Sequence, residues 1–341
     1  MRTPEAVTPD LGTDLDLRIG ALSAWSDDPS AMLALNEGTD AFRAPGIPGF
    51  IAYRRSGRWL VQVGGAHAPE TSRATLIERF RVFAHENRCR VLAVQLQHRD
   101  ARDHAAAGYT VNQLGASYAL PVAEFTLRGK PFVSLRNKIS RAQRAGVQVE
   151  FTTASELSGA DTTAIEALDA QWLRAKGRFT RPLHMLVGEV GGPAVHLRRL
   201  VVARQDGDLL GYVSLSPVFG SRPGWLHDLS RRRDGAPPGV MELLVSQCIQ
   251  RCVDDGTPWW HFGFTPFTAL DPAVEFPGAS PVVTRLVHLL ADHGARVYPA
   301  ASQVDYKRKW GALHTLPDYL AFDGRPSVSG VSRLLKVTNL I

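Results

Sequence analysis

The alternation of apolar and polar residues divides the chain into two halves with the same order of elements. Residues 49–65 alternate on both sides of Ser56 and Gly57, which is typical of a β-hairpin. A helical stripe follows, formed by Leu76, Ile77, Phe80 and Phe83. The near-continuous apolar run at 90–97 then predicts a buried central strand.

The second half repeats this order without detectable sequence repetition. Residues 199–218 predict another hairpin, which turns at Asp206 and Gly207. Residues 239–256 have helical spacing, and a buried strand is predicted at 258–264. We therefore predict an α/β (α+β) fold with a mixed sheet, built as a structural duplication.

Residues 128–144 lie between the halves and contain six basic residues and no acid. Their periodicity predicts a helix that ends at Gly146, with an apolar face of Phe132, Leu135, Ile139 and Ala142. The opposite face holds Arg136, Lys138, Arg141 and Arg144. Charge runs are usually solvated faces, but such faces normally mix Glu with Lys for stability. The missing acids favour a polyanionic partner, either RNA phosphates or anionic lipid headgroups.

The composition of the 341 residues, 44% hydrophobic and 21% charged, is typical of a globular protein. No apolar run approaches the ~18 residues that a transmembrane helix needs. Residues 1–18 are acidic and Pro-containing, so we predict a disordered leader without a secretory signal. The predicted division is then 19–127 for the first half, 128–150 for the connecting helix and 151–341 for the catalytic half.

The net charge of +6 is compatible with nucleic acid, an anionic membrane or a phosphorylated ligand. The three cysteines are Cys89, Cys248 and Cys252, and the last two share the core stripe of the predicted helix. Neither a CxxC pair nor an HxxxH motif is present, so we predict no metal site. A reducing cytoplasm is the simplest setting for these cysteines.

The loop after the predicted strand 224–230 indicates which acyl donor the protein could use. A hairpin, a strand, a Gly-containing loop and a helix is the arrangement of acyl-CoA N-acyltransferases, in which consecutive backbone N–H groups at the helix start bind a pyrophosphate. Here Pro237 and Pro238 carry no N–H, and Pro237 occupies the last glycine or alanine position of the usual spacing. The architecture favours an acyltransferase, whereas the loop argues against coenzyme A as the donor.

Five segments occur in order from about Gly49 to Leu320: GFIAYRRSGRWLV, FTLRGKPFVSLRNKISRAQRAGV, DLSRRRDGAPPGVMELL, FGFTPFTALD and VDYKRKWGALHTLPDYL. With these segments the chain resembles the soluble catalytic domain of bacterial phosphatidylglycerol lysyl- and alanyltransferases (MprF-type), which transfer amino acids from charged tRNA. The resemblance implies a tandem of two acetyltransferase-like (GNAT) halves.

The resemblance also implies five catalytic residues. The family's Asp-Leu-x-Arg element matches Asp228 and Arg231, and Asp271 stands where the family more often has Glu. A late lysine pair matches Lys307 and Lys309. The chain departs from the family in having no membrane-embedded flippase half, in a bulkier FGFTPF segment, and in a Glu at position 242 where Asp is usual.

The chemistry of aminoacyl transfer is consistent with these residue types. An aminoacyl ester is already activated, so no protein nucleophile is needed, and no Gly-x-Ser-x-Gly elbow is present. Asp228 and Asp271 are candidates to bind the α-ammonium or to deprotonate an acceptor. Arg231, Lys307 and Lys309 are candidates to bind phosphate or an oxyanion. The alternatives are a structural Asp228–Arg231 ion pair and a basic strand at YKRKW.

Aromatic residues of the second half give a candidate substrate pocket, formed by Tyr212, His227, Trp260, Phe262 and Phe264. Most aromatic residues of this kind belong to a core. Trp260 and Phe264 are the candidates to line an acceptor pocket instead. For His227 and for His261 on the neighbouring predicted strand, a hydrogen-bonding role is favoured over that of a base.

These expectations combine into a cytoplasmic aminoacyl-tRNA-dependent aminoacyltransferase that needs no cofactor besides the aminoacyl-tRNA co-substrate. Its predicted partners are aminoacyl-tRNA and a small soluble acceptor amine or hydroxyl, with possible peripheral contact to an anionic membrane and none with DNA. Family members in antibiotic pathways, such as the seryl-tRNA-dependent valanimycin step, are the nearest analogy. The open alternatives are a phosphatidylglycerol aminoacyltransferase at the membrane surface, an acetyl-CoA-dependent N-acetyltransferase and a catalytically inactive RNA-binding module.

Overall fold

A single mixed sheet of eleven strands organises the part of the chain that the computed structural model describes, which is residues 11–176, 184–293, 300–311 and 313–339. The strands are β1 (Asp40–Phe42), β2 (Ile51–Ser56), β3 (Trp59–Val63), β4 (Arg90–Gln97), β5 (Thr110–Pro121), β6 (Gln148–Thr152), β7 (Arg199–Gln205), β8 (Asp208–Val218), β9 (Gly224–Arg232), β10 (Trp259–Pro266) and β11 (His314–Phe322). Their order across the sheet is β1-β2-β3-β4-β11-β5-β10-β9-β8-β7-β6.

Helices pack on both faces of this sheet. They are α1 (Leu11–Trp25), α2 (Glu70–Glu86), α3 (His98–Ala106), α4 (Val133–Arg144), α5 (Gly159–Lys176), α6 (Val240–Asp254), α7 (Pro281–His293), α8 (Ala300–Arg308) and α9 (Val328–Val337). The predicted mixed α/β fold is thereby confirmed.

The predicted repeat of hairpin, helix and strand is present in both halves. In the first half the β2–β3 hairpin leads through α2 to β4, which pairs parallel to β3. In the second half the β7–β8 hairpin and β9 lead through α6 to β10, which pairs parallel to β9. Each unit is a β-α-β connection whose helix buries one face on the sheet.

Strand β11 joins the two halves into one sheet. It belongs to the end of the chain, yet it pairs antiparallel with β4 on one side and with β5 on the other. β5 in turn pairs with β10 of the second half. Since both neighbours of β11 come from the first half, the sheet of that half is completed only by the C-terminal part of the chain.

The predicted core stripe of α6 is confirmed. Val240, Leu244, Cys248, Ile249 and Cys252 are buried, in one cluster with side chains of β5, β8 and β10. The described cysteines are all unpaired and buried, as expected for small apolar side chains.

The disordered leader predicted at 1–18 requires correction from residue 11 onward, and residues 1–10 lie outside the described part. Helix α1 begins at Leu11, and its Leu22 is fully buried against the short 3-10 helix Ala31–Leu35. The Arg18 side chain donates to the carbonyl oxygens of Ala34 and Thr39. The acidic, Pro-containing composition did not reveal this helix because its stability comes from tertiary packing.

Candidate active site

The parallel strands β9 and β10 are unpaired beyond a short ladder, and we call the gap between their unpaired parts the cleft. The strands pair only over Gly224–Leu226 and Trp259–His261. Beyond this ladder β9 remains paired with β8, and β10 remains paired with β5. The part of β9 that is no longer paired with β10 is partly exposed. β10 bulges at Gly263, whose φ of +73° favours glycine. Ligands of α/β sheets commonly bind at the carboxyl ends of such strands.

Lys307 lies against the β10 side of this cleft. Its Nζ donates to the Gly263 carbonyl oxygen at 2.6 Å and to Thr265 Oγ1 at 2.7 Å, and it lies 5.1 Å from the Tyr118 ring centroid. Burial lowers the pKa of Lys307 to about 7. The alternative of a basic strand is wrong here, because Lys307 is in helix α8. The site therefore contains a buried amine that changes protonation near neutral pH.

Lys309 follows α8 and is held by a carboxylate. Glu242 Oε1 accepts from Lys309 Nζ at 2.9 Å and from Lys138 Nζ of α4 at 3.2 Å. Burial alone would raise the pKa of Glu242, but the hydrogen bond and charge of Lys309 keep it below its ordinary value. The Lys309 ammonium also lies 3.9 Å from the Tyr306 ring centroid. Glu242 thus connects Lys138 of the basic helix α4 to Lys309.

His227 completes this cluster on the same face of the sheet. Its ring lies 5.9 Å from Trp260, 6.5 Å from Phe262 and 6.5 Å from Tyr306. Burial and the positive charges of Lys307 and Lys309 lower the pKa of His227 to about 3. The imidazole is therefore neutral at physiological pH. Trp260 and Phe262 are buried in the core cluster that includes side chains of α6, so both are core residues.

Asp228 is the extra residue of β9 where the β8–β9 register shifts, and its carboxyl group lies on the face of the sheet opposite to His227. Ser216 Oγ donates to its Oδ2 at 2.5 Å, and the Gly188 backbone lies against the carboxyl group. Burial raises the pKa of Asp228, while the Ser216 hydrogen bond and the charge of Arg198 oppose this rise. Arg198 is fully buried and donates to Asn36 Oδ1 at 2.8 Å.

The alternative of a structural Asp228–Arg231 ion pair is wrong. Arg231 lies 3.8 Å from the Trp172 ring centroid, and its Nε is 3.5 Å from Asp169 Oδ1. Tyr212, a predicted pocket residue, donates from its hydroxyl to that same oxygen at 2.5 Å. Both residues therefore contact α5, and Asp228 has partners of its own.

Asp271 and Phe264 have contacts of different kinds. Asp271 is exposed and caps a short 3-10 helix by accepting from the Ala273 N–H at 2.9 Å. It borders a cavity of about 80 Å³ together with Gln113 and Glu275. Phe264 is partly buried, and its carbonyl oxygen lies 3.4 Å from the ammonium of Lys307. Phe264 therefore adjoins the cleft, whereas the Asp271 carboxylate hydrogen-bonds within its own turn.

The predicted amphipathic helix is confirmed as α4, with Leu135, Ile139 and Ala142 buried. Its remaining predicted residues differ in their contacts. Arg136 donates to the carbonyl oxygen of Gly129 at 2.9 Å, and Arg144 donates to that of Ser140 at 3.2 Å. Arg141 is exposed. Within the described residues, Lys138 alone of the four predicted basic residues has an ion pair.

Helix α4 covers the N-terminus of α6. Gly239, just before α6, has a φ of +96°, and a Cβ on it would overlap the carbonyl oxygen of Lys138. Glu242 in the first turn of α6 places its carboxylate at this positive helix end. The helix terminus that binds a phosphate in a coenzyme A site is here covered by protein atoms.

Several residues of the site were not predicted from the sequence. Tyr306, Thr265 and Ser216 contact predicted residues, the charge of Arg198 acts on Asp228, and Asn36 accepts from Arg198; each is brought there by a different element. Tyr306 could have been predicted as a site residue, because it precedes Lys307 in the segment that carries the family resemblance. A Ser, an Arg and an Asn on separate elements give no local pattern.

Two kinds of feature are absent from the described residues, a membrane-spanning helix and a cluster of metal ligands. None of the described helices has the length and apolarity to cross a bilayer. In the same part of the chain, no group of three or more His, Cys, Asp or Glu side chains is arranged to hold a metal ion.

The chain is similar to known proteins of one family. The profile of the family described as "Phosphatidylglycerol lysyltransferase, C-terminal" matches residues 21–322. The lysylphosphatidylglycerol biosynthesis bifunctional protein LysX of Mycobacterium ulcerans is 32% identical over 184 residues, which are 53% of this chain and 16% of that protein. The corresponding LysX of Mycolicibacterium vanbaalenii is 30% identical over 223 residues, 64% of this chain and 19% of that protein.

The fold is shared with the solved structure of L-PGS from Bacillus licheniformis, at a TM-score of 0.77 and 20% identity over 100% of this chain and 98% of that one. The chain belongs to the phosphatidylglycerol lysyltransferase C-terminal family. It spans less than a fifth of the length of the curated relatives named above.

Proposed function

We propose that the protein transfers an amino acid from charged tRNA to the amine or hydroxyl of a small soluble acceptor in the cytoplasm, where charged tRNA is found. The observation that carries the donor assignment is the covering of the α6 N-terminus by α4. Because α4 covers the start of α6, that helix end is not available to bind the pyrophosphate of coenzyme A. The exposed face of α4 is basic instead, which suits the phosphates of an RNA donor. No further cofactor is proposed, because the aminoacyl ester is already activated.

In the proposed reaction, the acceptor attacks the ester carbonyl, and the tRNA 3′-end ribose oxygen leaves. Neutral Lys307 would take the proton from the attacking amine or hydroxyl at Nζ and return it to the leaving oxygen. A pKa of about 7 suits both transfers. Lys309 would stabilise negative charge on the tetrahedral intermediate or bind the terminal phosphate. Asp228 and Asp271 remain proposed ammonium partners, and Arg231 a proposed phosphate partner.

Neutral His227 and the partly buried Phe264 would contact the acceptor, and the buried Trp260 and Phe262 would support the His227 ring from the core side. An acceptor that is a natural-product intermediate fits this proposal. The family and the relatives named above favour a second acceptor, phosphatidylglycerol, which would be modified at the membrane surface.

The test is to incubate the protein with total radiolabelled aminoacyl-tRNA and either cell extract or phosphatidylglycerol vesicles. Enzyme-dependent transfer of label to an extract metabolite supports the soluble acceptor, and transfer only to lipid supports the alternative. Label leaving the tRNA no faster than in a protein-free control contradicts both. Calorimetry with acetyl-CoA is the check on the donor, since measurable binding would contradict the proposed one.

A further inference from the structure

A groove of about 460 Å³ lies in the first half of the chain, outside the cleft between β9 and β10. Arg58 follows the β2 strand, His85 and Arg88 come from the end of α2, and Arg90 starts β4. Trp59 lies beneath them. We call this the arginine groove.

Two guanidinium groups of the arginine groove, those of Arg90 and Arg58, contact carbonyl oxygens. Arg90 Nη2 donates to the carbonyl oxygens of Asp323 at 2.6 Å and Arg325 at 2.7 Å, and its guanidinium lies 4.7 Å from the Trp59 ring centroid. Arg58 Nε lies 3.5 Å from the carbonyl oxygen of Arg88. Because carbonyl oxygens carry no formal charge, these contacts order the arginines without neutralising them.

Nearby acids do not neutralise them either. The buried Asp323 carboxylate accepts from His85 at 2.6 Å. Among the described residues, no carboxylate lies within 4.0 Å of a charged group of Arg58, Arg88 or Arg90, and the same is true of Arg325 and Arg333 next to the groove. A concentration of unpaired guanidinium groups around a concave surface is suited to phosphate oxygens.

The arginine groove and helix α4 lie toward the same end of the sheet. Asp318 of β11 pairs with Gln97, the last residue of β4, on one side and with Gly115 of β5 on the other. The rest of β4 therefore lies beside the part of β5 that precedes Gly115. β10 runs antiparallel to β5, and its last residue, Pro266, pairs with the same Gly115. The start of β4 therefore lies at the end toward which β9 and β10 point, and α6 begins at that end under α4. Four strand spacings separate β9 from β4, about 20 Å.

We propose that the arginine groove is a second RNA-phosphate contact, which binds the backbone of the same tRNA that α4 contacts. This inference rests on the proposed function. Two separate basic surfaces at one end of the molecule, the arginine groove and the exposed face of α4, can be bridged by one rigid polyanion, whereas a single small phosphate can occupy only one. A membrane contact is the competing use of this surface, since the neighbouring Val328 is 87% exposed.

The test compares two double variants of the full chain. Arg58→Ala with Arg88→Ala removes two unpaired charges from the groove, and Arg102→Ala with Arg285→Ala removes two exposed arginines on α3 and α7 as the matched control. Binding of deacylated total tRNA is measured by fluorescence anisotropy over a series of KCl concentrations. For the groove variant we expect about 10-fold weaker binding and a log–log salt slope smaller by about 2, since each lost phosphate contact reduces it by about 1.

Each outcome decides the inference. If the groove variant binds tRNA like the control variant while the unchanged protein binds tRNA and transfers label, the inference fails and the proposed function stands. If the groove variant keeps its tRNA affinity but loses co-sedimentation with phosphatidylglycerol vesicles, the surface is a lipid contact and the inference is overturned. If the unchanged protein binds no tRNA, the inference and the proposed function fail together.

Discussion

Lys307 has the two properties that a proton-transfer group needs, a position beside the cleft and a pKa near the working pH. Burial lowers that pKa to about 7, so the amine is mostly neutral above pH 7 and mostly charged below it. We expect the transfer rate to rise with pH through about 7 and then level off. Lys307→Met should lower the rate by about 10²–10⁴-fold and remove this inflection.

The measurement is single-turnover transfer from purified aminoacyl-tRNA between pH 5.5 and 9. Lys309→Met is the comparison, because it removes the neighbouring cation but leaves Lys307 in place. It should slow transfer and keep the inflection. An inflection near pH 7 that survives in Lys307→Met would assign the proton transfer to another group.

Glu242 is the residue through which the cleft and the basic helix contact each other. Glu242→Gln removes the carboxylate that accepts from Lys309 and Lys138, so we expect about 1–3 kcal/mol lower unfolding free energy at pH 7. The folded-state pKa of Glu242 lies below its ordinary value of 4.5. Its stabilisation is therefore present above the unfolded-state pKa and is lost as the pH falls through the folded-state pKa.

Urea unfolding of both proteins at pH 7 and at successively lower pH checks this dependence. The two stability curves should converge in acid. A difference that stays constant with pH would mean that Glu242 acts through packing rather than charge.

At the scale of elements, the sequence was informative where the pattern is local. The β2–β3 and β7–β8 hairpins, α4 and α6 were predicted correctly, because each is encoded by turn residues or by one continuous periodicity. Lys307 was predicted, but its helix was not, because the YKRKW segment is too short to distinguish a helix from a strand. The partners of Asp228 depend on the register of β8 and β9 and on a distant loop, which no local pattern encodes.

The packing of α4 on the start of α6 leads to a prediction at the same scale. Gly239→Ala places a methyl group against the Lys138 carbonyl oxygen, so α4 must shift away from α6. Gly235→Ala is the matched control, because Gly235 also has a positive φ, +78°, but has open space around it. Both variants carry the cost of the left-handed backbone, about 1 kcal/mol.

We expect Gly239→Ala to lower the melting temperature further than Gly235→Ala and to weaken tRNA binding. Thermal unfolding and tRNA anisotropy on the two variants measure this. Equal effects of the two substitutions would show that the contact between α4 and α6 does not position the basic surface.

For the whole molecule, the central position of β11 makes the two halves dependent on each other. β11 is bonded along one edge to β4 and along the other to β5, and β5 continues the sheet to β10. Without β11 the strands β4 and β5 expose their unpaired backbone groups in the middle of the sheet, where water is otherwise excluded. Buried side chains of β11, Tyr319 and Phe322 among them, would also leave the cores on both faces.

We therefore expect a chain that ends at residue 312 to have no cooperative thermal transition, although it retains the complete hairpin, helix and strand units of both halves. The matched control ends at residue 326, which keeps β11 and removes only α9 from the surface of the sheet. It should unfold cooperatively at a lower temperature than the full chain, because α9 contributes packing on β2 and β3 but closes no gap. Calorimetry together with circular dichroism distinguishes the two. A cooperative transition in the shorter chain would mean that each half folds on its own, and that β11 is an addition to two complete sheets rather than the strand that joins them.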